Sequence, residues 1–293
     1  MRYAKPANFS WLFCLYQRPN PPIAPFVSSS APIGIFDSGI GGLTVFSAIK
    51  ERLPNEALVY LGDTARVPYG TKSAETVVRY SRENAEFLEG QGVKAIVVAC
   101  NTASAVALED LRQRCKVPVL GVVEPGVRAA LAASSAKRIG VVGTRATIAS
   151  DAYGLLLRDL HSGANVVSVA CPLFVPLVEE GWLSGEIVEE ITKRYCAELE
   201  YARVDTLILG CTHYPLLKEA IAKVIGPDVT LVDSGEAAAA ALACLIDNEG
   251  MASPGAACDD RLYVTDVPGQ FEAVARRFLG GMMPMVERVN LGF

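Results

Sequence analysis

Two cysteines end matching segments of a 293-residue sequence: Lys94-Ala95-Ile96-Val97-Val98-Ala99-Cys100-Asn101-Thr102 and Asp205-Thr206-Leu207-Ile208-Leu209-Gly210-Cys211-Thr212-His213. In each, an apolar β-branched run stops at the cysteine, and small polar residues lead into a helical stretch. The amides of a helix N-terminus stabilise anions and lower a thiol's pKa, so this position favours thiolate. One thiolate disfavours a second nearby, and the resting pair is then one acid and one base. Such a pair takes a proton from one face of a carbon and supplies another to the opposite face, inverting the centre. A reversible disulfide is the competing use, but there is no CxxC, and the Cα atoms would have to lie within about 7 Å. Cys115, Cys171, Cys196, Cys244 and Cys258 read as core residues.

Other residues group around this pair. His213 stands two positions past Cys211, within range to exchange protons with it, and Asp37 is placed to play the mirrored part beside Cys100. Asp37-Ser38-Gly39-Ile40-Gly41-Gly42 is either an anion cradle whose amides approach a ligand carboxylate or a tight turn capped by Asp37 or Ser38. It is not the dinucleotide fingerprint, because Thr44 stands at the last glycine's position, and GxxxxGK[ST] is absent, so nucleotide cofactors lose support. In the turn Val67-Pro68-Tyr69-Gly70 the Tyr69 hydroxyl is a candidate donor to a carboxylate. Thr144 offers a hydroxyl, and Glu179 precedes a helix break at Gly181. With only His161 and His213 in the chain, no metal site is expected. Ser47-Ala48-Ile49-Lys50 reads as a helix face, since no partner motif accompanies its SxxK pattern.

The elements that must position these residues are short apolar runs alternating with helical stretches. Strands are expected at 33–36, 57–61, 95–98, 119–122, 138–142, 165–169, 206–209 and 230–232, and helices at 75–89, 103–114, 186–202 and 216–224. This is the signature of doubly wound parallel α/β sheets. Ile33-Gly34-Ile35-Phe36 also resembles Ile139-Gly140-Val141-Val142, so the halves share one plan. The expected fold is two pseudo-symmetric parallel-sheet domains facing each other across a central cleft, because ligands bind at the carboxyl ends of such strands. Residues 31–125 with 235–293 form the first domain and 126–234 the second.

Composition narrows the partners. Twenty-seven Lys and Arg against 32 Asp and Glu give a net charge of −5 with no dense basic block, which argues against nucleic acid or an anionic membrane. The longest apolar run, 237–246, falls well short of the roughly 20 residues of a spanning helix. The cysteine usage, with no disulfide framework, fits a reducing, cytoplasmic compartment. Residues 1–30, rich in proline and ending in Ser28-Ser29-Ser30, read as a disordered extension whose apolar patch is too short for a secretory signal.

Phe36-Asp37-Ser38-Gly39-Ile40-Gly41-Gly42-Leu43, Val67-Pro68-Tyr69-Gly70, Ala99-Cys100-Asn101-Thr102-Ala103 and Gly210-Cys211-Thr212-His213-Tyr214-Pro215 together resemble the glutamate racemases of the aspartate/glutamate racemase superfamily. Leu231-Val232-Asp233-Ser234-Gly235 looks like a fifth segment of that family. The resemblance implies a cofactor-independent enzyme that interconverts L- and D-glutamate and supplies the D-isomer for peptidoglycan. It implies that Cys100 deprotonates D-glutamate with help from Asp37, and Cys211 deprotonates L-glutamate with help from His213. Glu179 matches an assisting carboxylate. Substrate contacts carry over to Asp37, Ser38, Tyr69, Gly70, Asn101, Thr102, Thr144, Thr212 and His213. A homodimer is common in that family. The extension of residues 1–30 is outside the usual pattern, and the tail after Asn248, with Tyr263-Val264-Thr265-Asp266 and a helix at 271–279, is expected to pack on the first half. The rival readings are an aspartate racemase, a two-lobed binding protein and a thiol redox protein. A Cα proton beside a carboxylate is very weakly acidic, so without pyridoxal the site must rely on electrostatic preorganisation, and closure of the two lobes is expected.

Overall fold

The computed structural model describes residues 28–255, 259–279 and 285–292. The expectations for residues 1–27 and for Cys258 lie outside the described residues. Ser28–Ser30, counted above with the disordered extension, instead form a turn. Ala31 N donates to Ser28 O at 2.9 Å and Lys94 Nζ to Ser29 O at 2.6 Å.

Two sheets carry the fold, and every strand pairing in them is parallel. The first contains β1 (Ile33–Asp37), β2 (Leu58–Gly62), β3 (Ala95–Val98), β4 (Val119–Gly121), β9 (Arg261–Val264) and β10 (Val286–Arg288), in the order β10-β9-β2-β1-β3-β4. The second contains β5 (Arg138–Gly143), β6 (Asn165–Ala170), β7 (Thr206–Gly210) and β8 (Thr230–Asp233), in the order β6-β5-β7-β8. β1, β2, β3 and β7 are buried at every position, which is why they read as unbroken apolar runs rather than alternating ones. Successive residues still point to opposite faces: Ile35, Leu58 and Tyr60 enter one apolar cluster, while Phe36, Val59 and Leu61 enter another.

The repeated plan of the sequence is realised strand for strand, since β2-β1-β3-β4 and β6-β5-β7-β8 have the same order. The chain changes direction across the sheet between β1 and β3 and again between β5 and β7. Ligand sites of doubly wound sheets sit at such switch points. Asp37 ends β1 and Cys100 follows β3, while Thr144 follows β5 and Cys211 follows β7.

Parallel neighbours cannot be joined by a hairpin, so helices intervene. The helix Ala74–Gly90 opens on Ser73, whose Oγ accepts from Thr76 N at 3.3 Å, and buries Val77, Ser81, Asn84, Ala85 and Leu88 along one face. The single helix expected at 103–114 is two, Asn101–Val106 and Leu108–Arg114. Ala107 N bonds Ala103 O at 2.8 Å and Leu111 N bonds Ala107 O at 3.0 Å, so the bonding continues across the join. The helices Val123–Ala133 and Ser234–Asn248 carry the chain between the sheets and pack on each other. In the tail, β9 and β10 extend the first sheet, and the helix Pro268–Leu279 packs on Leu43–Arg52. Neither strand was expected. They are short, and Arg261, Glu287 and Arg288 interrupt any apolar run. No helix among the described residues is long and apolar enough to cross a membrane.

Candidate active site

Cys100 is the N-cap of Asn101–Val106. Its Sγ accepts from Ala103 N at 3.5 Å and donates to Ser38 Oγ at 3.6 Å. The expected thiolate does not follow. Burial pushes this thiol up to about 12 and the Asp37 charge adds to the rise, while the Ala103 amide and Ser38 pull down and lose. Desolvation outweighs a single capping amide.

Cys211 is held differently. It leads into a 3₁₀ turn, Tyr214–Leu217, before the helix Lys218–Ile225, and its Sγ lies 3.9 Å from His213 Nδ1. His213 Nε2 is 3.0 Å from Oε1 of Glu179, the last residue of the helix Phe174–Glu179. Burial works against a charged ring here. The hydrogen bonds to Cys211 and Glu179, with their charges, outweigh it and raise His213 to about 10. The two thiols are thus buried alike, 5% and 6% exposed, yet they sit in unlike electrostatic settings.

Asp37 is fully buried, and burial raises its pKa against the pull of His213 and of the Gly42, Gly39 and Ser38 amides. Its Oδ2 accepts from Gly39 N at 3.0 Å. These amides therefore serve the protein's own carboxylate, which corrects the anion-cradle reading in favour of a turn closed by Asp37. The glycines of this turn have another use. A Cβ at Gly41 would overlap Thr212 Oγ1 and His213 Nδ1, so only glycine lets this turn meet the end of β7. Thr44 Oγ1 adds a bond to Thr212 O at 2.9 Å.

More contacts close the seam between the sheets. Thr102 Oγ1 lies 3.0 Å from Thr144 Oγ1 and 3.1 Å from Thr147 Oγ1, and Gly70 rests against Thr144. Asn101 Nδ2 donates to Tyr153 OH at 2.7 Å and to Ser234 Oγ at 3.0 Å. Two buried acceptors, Asp37 Oδ1 and Asn101 Oδ1, have no hydrogen-bond partner.

The Tyr69 hydroxyl is not available in the way the sequence suggested. It donates to Asp63 and accepts from Asn84 Nδ2 at 3.0 Å, within a buried network that Arg66 and Thr265 complete. The structure gathers Asp37, Ser38, Cys100, Asn101, Thr102, Thr144, Glu179, Thr212 and His213 at one seam, with Gly70 at its rim.

Sequence reading missed Tyr153, Thr147, Ser234 and the Asp63 network. Ser234 lay in a segment already singled out, whereas nothing in the pattern around Tyr153 signals its role. Among the described residues, no group of three His, Cys, Asp or Glu side chains is arranged to hold a metal. Cys100, Cys115, Cys171, Cys196 and Cys211 are free thiols.

Two parallel sheets of one plan, each with a cysteine at its switch point, make this a two-sheet α/β protein. Residues 33–242 match the family described as Asp/Glu/Hydantoin racemase. The chain is 51% identical over 260 residues to the glutamate racemase of Geobacter metallireducens, spanning 88% of this chain and 96% of that one. It superimposes on a glutamate racemase isoform from Bacillus anthracis with a TM-score of 0.87 at 40% identity, covering 90% of this chain and 98% of that one. For the Francisella tularensis glutamate racemase in complex with D-glutamate the TM-score is 0.84 at 42% identity, covering 90% and 99%. The chain belongs to the Asp/Glu/Hydantoin racemase family and is an isomerase.

Proposed function

We propose that this chain is a cytoplasmic glutamate racemase that inverts Cα by proton transfer between two thiols, without an organic cofactor, and supplies D-glutamate for peptidoglycan. The observation that carries the reading is the pairing of unlike thiols at equivalent switch points. Cys100 is a neutral acid held up by burial and Asp37, and Cys211 is paired with a proton-retaining His213.

In the L-to-D direction the Cys211 thiolate takes the Cα proton, with His213 as counter-charge and Glu179 fixing the ring's other nitrogen. Cys100 gives its proton to the opposite face. The products are D-glutamate, a Cys100 thiolate and a Cys211 thiol, and D-to-L runs the same steps backwards. The unpartnered Asp37 Oδ1 and Asn101 Oδ1 suit the substrate ammonium, since a buried acceptor left without a donor costs about 1–3 kcal/mol. The hydroxyls of Ser38, Thr102, Thr144 and Thr212 are donors suited to its carboxylates. Glutamate rather than aspartate is favoured because the relatives matched over most of the chain are glutamate racemases.

The test is incubation of the purified chain with L-glutamate or L-aspartate, no cofactor added, followed by chiral separation. D-glutamate should form, and Cys100→Ser and Cys211→Ser should each lower the rate by roughly 10³-fold or more. Inversion of aspartate alone would move the substrate assignment, and undiminished turnover in either variant would remove the two-thiol chemistry.

A further inference from the structure

The tail helix Pro268–Leu279 buries Phe271, Ala275 and Phe278, an i, i+4, i+7 face that spans two turns. That face reaches both sides of the seam. At its start, Phe271 packs on Tyr60 with ring centroids 6.3 Å apart. The Tyr60 hydroxyl donates to Gly39 O at 2.9 Å, in the turn that closes on Asp37. At its end, Phe278 meets the His213 ring edge to face, with centroids 5.8 Å apart and planes at 90°. Beside it, Arg277 Nη1 donates to the backbone carbonyl of Glu179. The guanidinium lies over Gly181, which has a left-handed φ of 78°, and a Cβ there would stand 3.0 Å from Arg277 Cζ.

His213 needs such support. Its bond to Cys211 spans 3.9 Å, so a small swing of the ring breaks it. Its other partner, the Glu179 side chain, is 39% exposed and is poorly confined by its own surroundings. The titratable groups acting on His213 are Cys211 and Glu179, with Asp37 across the seam. Phe278 shields this cluster from water, and Arg277 fixes the helix end from which Glu179 projects.

We propose that the tail helix holds the His213–Glu179 pair in register with Cys211, with Phe278 and Arg277 as its positioning residues. The inference rests on reading His213 as the partner of Cys211 in racemisation. It makes the tail, which lies outside the residues matched to the family, a working part of the site's second half.

The full chain contains only His161 and His213, so imidazole NMR titration reports His213 with His161 as an internal reference. It is measured together with kcat and KM for L-glutamate in Phe278→Leu, Phe278→Tyr and Arg277→Gln. Phe278→Leu should lower kcat roughly tenfold with KM within about twofold, because a displaced catalytic group loses rate before it loses substrate. The His213 midpoint should fall from about 10 toward the ordinary imidazole value, as admitted water screens the bonds that hold it up. Phe278→Tyr should restore both readings. Arg277→Gln, at an exposed position, should lower kcat severalfold with the thermal midpoint unchanged. Wild-type kcat in Phe278→Leu and Arg277→Gln would overturn the proposal, and so would a loss of kcat with the His213 midpoint unmoved. If the wild-type chain does not racemise glutamate, the functional reading fails on its own, while the His213 midpoint still decides whether the helix positions the ring.

Discussion

Cys100 and Cys211 follow equivalent strands, but their charged neighbours differ. Asp37 and burial keep the proton on Cys100, and the His213–Glu179 pair places a counter-charge beside Cys211. A pH dependence follows. The ring stays protonated up to about 10, so kcat with L-glutamate should fall as pH rises through that value and Cys211 loses its counter-charge. Glu179→Gln removes one of the groups that raise His213, so this alkaline limb should move down by roughly one unit, read from the pH profile of kcat. An unmoved limb would separate Glu179 from the chemistry. The matched thiols were legible in the sequence because their two segments align. The protonation of Cys100 was not, since it depends on a burial that only the packed sheets create.

Between residue and molecule, the turn at Val67-Pro68-Tyr69-Gly70 shows how an element fixes what its side chains can do. Tyr69 is fully buried, and its hydroxyl ties the turn to Asp63 after β2 and to Asn84 on the helix Ala74–Gly90. Tyr69→Phe leaves buried polar groups short of a partner and should cost about 1–3 kcal/mol of stability, seen as a lower thermal midpoint. The KM for glutamate should change less than about twofold, because the hydroxyl is already engaged by Asp63 and Asn84. A large rise in KM with unchanged stability would return the hydroxyl to the ligand. The motif was visible in the sequence, but its partners come from other elements, and adjacency in the chain cannot show them. The strands β1, β2, β3 and β7 were legible because burial on both faces leaves continuous apolar runs. The tail strands β9 and β10 were not, because Arg261, Glu287 and Arg288 break that pattern.

At the scale of the molecule, two sheets of one plan are joined so that Gly41 rests on Thr212 and His213, Thr102 meets Thr144, and Asn101 reaches Tyr153 and Ser234. These contacts draw the two halves together along one seam, and in the proposed reaction the halves part to admit substrate. Closure serves the chemistry, because excluding water strengthens every interaction that stabilises a carbanion-like transition state. In the proposed reaction one thiol serves each side of the substrate carbon, so no proton removed by one is returned by that same group. This is tested most directly by running the first turnovers in deuterated water from each enantiomer, then separating the enantiomers and weighing them. The new enantiomer should carry deuterium at Cα from the outset while the unreacted one keeps its hydrogen. Product that retains the original hydrogen, or equal early exchange into both enantiomers, would point to a single base and contradict the two-thiol site.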